Sequence, residues 1–82
     1  MEFDMSKSEK AKRFFLAGDL KRALSIYKNF RYDFTQDERR SIQIAYESLT
    51  GKAFFYQSLG IDTNLMVAKS VLAISNHITK AL

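Results

Sequence analysis

Residues able to do chemistry are few and scattered along this chain. The only histidine is His77. It falls near the end of the last helix that the sequence implies, where a cation suits the helix dipole, and it reads as a surface or boundary residue. The nine Asp and Glu residues form neither HExxH nor DxDxDG, and no pair of carboxylates is framed by apolar sequence. The pattern therefore calls for no zinc, calcium or other cofactor. Cysteine is absent, which excludes disulfides, thiolate ligands and a thiol nucleophile. The Gly51–Lys52 pair in "LTGKAFF" lacks the earlier glycine of a phosphate loop and reads as a helix stop. No catalytic residue is assigned, and the chain is expected not to be an enzyme.

Charge is the more informative signal. Of the formal net charge of +4, the segment from Lys7 to Arg31 supplies eight bases against Glu9 and Asp19, so the remainder is slightly acidic. Such a run can be a solvated face, a contact for a phosphate backbone, or a dock for an acidic protein surface. Lys10, Arg13, Lys21, Arg22, Lys28 and Arg31 are the candidate partner-binding residues. Another protein with an acidic surface is the expected partner, and nucleic acid is the alternative.

Helices must position these residues. Proline is absent, only three glycines occur, and strand alternation is nowhere sustained. Ser6 with Glu9 fits a capping box ahead of a helix at 7–17 whose stripe is Ala11, Phe14 and Phe15. Gly18 and Asp19 form a corner, after which a helix at 20–31 aligns Leu20, Ala23, Leu24 and Tyr27, with Phe30 close by. Thr35 and Glu38 make a second capping box for a helix at 36–49 striped by Ile42, Ala45, Tyr46 and Leu49, with Ile44 as an outlier on the polar side. Gly51 stops it, and a short helix follows as far as Leu59 and Gly60. Asp62 or Thr63 caps the last helix, at 63–80, where apolar residues cover more than half the circumference and leave a polar wedge of Lys69, Asn76 and Lys80.

The stretch "GDLKRALSIY" resembles the turn and second helix of a tetratricopeptide repeat. Gly18 and Asp19 match its corner, Ala23 its small residue at the helix crossing, Tyr27 its following aromatic, and Phe14 the aromatic four residues before the glycine. Lys7 and Lys10 stand where that family has tryptophan and leucine, and no proline closes the repeat. Gly51 lies 33 residues after Gly18, although that alignment sets Tyr56 against the small Ala23. The resemblance covers residues 7–31 and implies a helical scaffold that binds proteins or peptides. "VAKSVLAISNHITKAL" also resembles a helix-turn-helix, but with Leu72 at the turn position and no break in the helical pattern.

These signals predict one all-α domain, 1–82, of about five short antiparallel helices, with residues 1–5 flexible. A chain of 82 residues hides only roughly 60 to 65 % of its unfolded surface, so self-association is expected. The candidate residues are Phe54, Phe55, Tyr56, Val67, Val71 and Ile74, giving a homodimer. "MEFDMSKSEK" has acids before its first lysine and no apolar run, and "LMVAKSVLAI" is too short and too polar to span a bilayer. The expected location is the cytoplasm, with no membrane partner.

Overall fold

The computed structural model describes residues 6–80, which are 79 % helical with no strand among them. The expected flexibility of 1–5 lies outside the described residues. The helices are α1 (Lys7–Leu16), α2 (Leu20–Tyr27), α3 (Gln36–Glu47), α4 (Ala53–Ser58) and α5 (Thr63–Lys80). The segment Ser48–Lys52 joins α3 to α4 through a kink, where Thr50 and Gly51 (φ 113°) leave helical geometry, so these two count together as one bent helical stretch of four.

The ends of these elements follow local chemistry. Thr35 and Glu38 form the full reciprocal capping box, with Glu38 N donating to Thr35 Oγ1 at 3.2 Å and Thr35 N to Glu38 Oε1 at 2.9 Å. The first box is only half made. Ser6 accepts from Glu9 N at 3.1 Å, but the Glu9 carboxylate turns along the helix to Arg13, 3.8 Å away. At the first corner Gly18 takes φ 85°, letting Asp19 N reach Phe14 O (2.9 Å) and Gly18 N reach Phe15 O (3.1 Å). Asp19 then caps α2 by accepting from Arg22 N at 3.2 Å. The second helix stops at Tyr27, four residues short of expectation. Asn29 N and Phe30 N bond three residues back, to Ile26 O and Tyr27 O, and this tightening swings Phe30 onto the Tyr27 ring at a centroid distance of 5.2 Å.

Packing makes α3 the central helix. It lies against α2 on one side and α5 on the other, while α1 packs chiefly on α2. Burial on two sides explains why Ile44, the expected outlier, is buried together with Ser41, Ile42 and Ala45. Facing them on α5 are Ser70, Ala73 and Ile74. Small residues on both helices let the backbones approach, and the two buried hydroxyls are satisfied locally, Ser41 Oγ donating to Asp37 O at 3.0 Å and Ser70 Oγ to Val67 O at 2.7 Å. A ring cluster of Tyr27, Phe30, Phe34 and His77 closes one end of the core, with His77 5.1 Å from Phe34 between centroids. His77 is thus a boundary residue packed among aromatics.

The last helix is covered on one side only: Leu65, Ala68 and Leu72 form an exposed stripe, Leu72 being 62 % exposed, whereas Lys69 of the expected polar wedge is half-buried in an ion pair with Asp37 at 3.1 Å. Four candidate self-association residues are engaged within the chain. Ile74 is fully buried against α3, Val67 packs on the core, Val71 is half-buried, and the half-buried Tyr56 donates its hydroxyl to Glu47. Only Phe54 and Phe55 remain exposed. Residues 63–80 form one unbroken helix, so no turn occurs at Leu72 as a helix-turn-helix would require.

Ala11 and Ala23, both fully buried, mark the approach of α1 to α2. Ala23→Leu is expected to lower stability by about 1 to 3 kcal/mol through overpacking. Urea unfolding followed by circular dichroism checks this, and an unchanged midpoint would show that the two helices are not tightly apposed there.

Candidate basic furrow

Two helical polar stripes meet where α2 runs beside α3. On α2 the residues are Lys21, Arg22, Ser25 and Lys28, and on α3 they are Gln36, Arg39, Arg40, Gln43 and Tyr46. Residues three and four apart share one side of a helix, so each stripe projects as a row. Between the rows lie two open depressions of about 380 and 440 Å³. The Lys28 ammonium, which lines one depression, sits 5.3 Å from the centre of the Tyr46 ring, which lines the other, so the two adjoin along the seam between α2 and α3, the furrow. From Gln36 to Tyr46 the furrow is about 15 Å long at the helical rise.

Five cations line it against one acid, Asp19, which already lies 3.5 Å from Arg22. The Arg22 guanidinium also stands 5.7 Å from the Phe14 ring centre, which fixes its reach from α2. Among the described residues only Arg22 of these five is in an ion pair, so the furrow presents a local positive field.

The structure brings Lys21, Arg22 and Lys28 together in the furrow and leaves the other three candidates outside it. Lys10 and Arg13 are exposed on α1, and Arg31 is exposed in the bend after α2. Arg39 and Arg40 belong to the furrow although counting charge by segment hides them, since Asp37 and Glu38 cancel them in sequence. Their three- and four-residue spacing to Gln36 and Gln43, on the side away from Ile42 and Ala45, was the available signal. Tyr32, next to Arg31 in sequence, is 93 % exposed.

At the far end of α3, Glu47 accepts from both Tyr56 Oη and Gln43 Nε2. The Tyr56 bond first, then the Gln43 bond, hold this carboxyl below the usual range, with Lys52 and Lys28 adding to the effect against partial desolvation. The same bond raises the Tyr56 hydroxyl, helped by burial. Among the described residues no three His, Asp or Glu side chains gather as a metal site, and no helix is long and apolar enough to cross a membrane. Comparison with protein-family models, curated proteins and solved structures finds no match to this chain.

Glu47 and Tyr56 give stability opposite pH dependences. The lowered Glu47 contributes stability above its unfolded pKa, lost as pH falls through the folded value, whereas the raised Tyr56 contributes below its unfolded pKa, lost as pH rises through the folded value. Tyr56→Phe is expected to cost about 0.5 to 1 kcal/mol at neutral pH, reduced by solvent screening. The same change should flatten the acid limb below about pH 5, as read by urea midpoints across pH.

Proposed function

We propose that this chain is a non-enzymatic protein-interaction module that takes an acidic segment of a partner protein into the furrow between α2 and α3. The observation that carries the reading is the convergence of Lys21, Arg22 and Lys28 with Arg39 and Arg40 along one concave seam. A concave seam suits an inserted helix or strand with carboxylates on its side, while duplex DNA is read by elements that project into its grooves. Gln36 adds an amide donor between the cations, able to bond a carboxylate or a peptide carbonyl. The tetratricopeptide resemblance of residues 7–31 supports the same class of role, since such hairpins present helix surfaces to peptides.

A second reading, single-stranded nucleic acid, draws on Tyr32. Its ring is open to a stacking base and lies next to Arg31. Within the furrow, however, the Tyr46 ring already carries Lys28, and Arg22 stands over Phe14 of α1.

The test titrates a Glu/Asp-rich peptide, a scrambled neutral peptide, single-stranded DNA and random duplex against wild type, Lys28→Glu/Arg39→Glu and Tyr32→Ala. The acidic peptide is expected to bind and to lose at least about tenfold in affinity in the charge-reversed variant, with little change in Tyr32→Ala. Tighter binding of single-stranded DNA at physiological salt, weakened by Tyr32→Ala and falling with a slope near −0.7 per phosphate, would establish the second reading instead.

A further inference from the structure

The segment Ala53–Ile61 carries no charged residue, the chain before it ending in Lys52 and the chain after it resuming at Asp62. Within it α4 buries none of its residues. Phe54 is 81 % exposed, Phe55 56 % and Leu59 61 %. Exposed aromatics on a chain of this size call for a cover, because contiguous apolar surface is rare on a lone soluble protein.

The fold holds α4 outward by definite means. Gly51, at φ 113°, turns the chain after α3, while the Thr50 hydroxyl donates to Tyr46 O at 2.9 Å and closes off the end of that helix. Tyr56 is tied to Glu47 across the corner, and Gln57 Nε2 reaches Thr63 Oγ1 at 3.3 Å. The inward side of α4 is therefore spent on anchoring. Phe54, Phe55 and Leu59 are left as an exposed apolar projection.

We infer that this projection is a self-association surface on which two copies of the chain meet about a twofold axis. A twofold interface sets a surface against itself, so any net charge on it opposes its own copy. With a net charge of +4 on the chain, the basic furrow cannot serve, whereas the uncharged 53–61 segment meets its copy without repulsion. Taking about 200 Å² for a fully exposed aromatic side chain, the three residues offer on the order of 400 Å² per copy. A pair can hide at most roughly 800 Å² from these side chains, so with a polar rim the contact stays at the small end of specific interfaces, near about 1,000 Å². The dimer is accordingly weak and concentration-dependent, and it leaves both furrows open.

Sedimentation velocity over a wide range of protein concentration tests this, using wild type, Phe54→Ser/Leu59→Ser, and Leu65→Ser/Leu72→Ser on the exposed stripe of α5. Wild type should show a monomer–dimer equilibrium that strengthens with added salt, as repulsion between the two net positive copies is screened. The α4 variant should lose at least about tenfold in association constant with an unchanged helical circular dichroism spectrum, and the α5 variant should match wild type. A wild type that stays monomeric at the highest concentration, or a dimer lost only in the α5 variant, would overturn the inference.

Discussion

Contact between α3 and α5 sets the place of every other element. Ser41 and Ala45 on one helix and Ser70 and Ala73 on the other are small enough to let the backbones close, and Ile42, Ile44 and Ile74 fill the remaining space. Serine can occupy such a seam only because each hydroxyl bonds a carbonyl of its own helix. Once this pair is fixed, the opposite side of α3 becomes the platform for α2, and α2 in turn carries α1. The result is an elongated body of 48 × 25 × 20 Å in which one helix is covered on two sides and the rest are half-clad.

That arrangement explains the split between apolar and charged surfaces. On α3 the exposed row of Gln36, Arg39, Arg40 and Gln43 is left at the lip of the seam with α2. Cations crowded there repel one another, and the molecule relieves part of that by laying Lys28 over Tyr46 and Arg22 over Phe14. Each ring thereby serves two purposes, packing with one surface and holding a cation with the other.

Much of the helical scaffold was legible because its punctuation is local. Gly18 with Asp19, Thr35 with Glu38, and Asp62 ahead of α5 each act through bonds spanning three to five residues, which sequence spacing displays directly. What stayed hidden depends on which neighbour a helix meets. The rotation of α5 that buries Ser70 and exposes Leu72 cannot be read from a helix apolar on several sides, since two or three rotations bury similar area. Ile44 looked misplaced for the same reason: a single stripe was expected on a helix that has two partners. The furrow escaped notice because half of it comes from a segment whose acids and bases cancel in sequence while projecting apart in space.

The attachment of α1 has a consequence for cooperativity. Ala11 is its only buried residue, and α2 is its chief neighbour. Phe14 and Phe15 of α1 also pack on the core, but opening α1 leaves the α3–α5 pair intact, whereas opening α3 dismantles the whole body. The protein consists of a coupled centre and a peripheral helix, and its amide protons should exchange with solvent in reverse order, α1 first and α3 only on global unfolding. An occupant in the seam beside α2 would raise the protection of α2 and α3 together while leaving the fraying of α1 nearly as before.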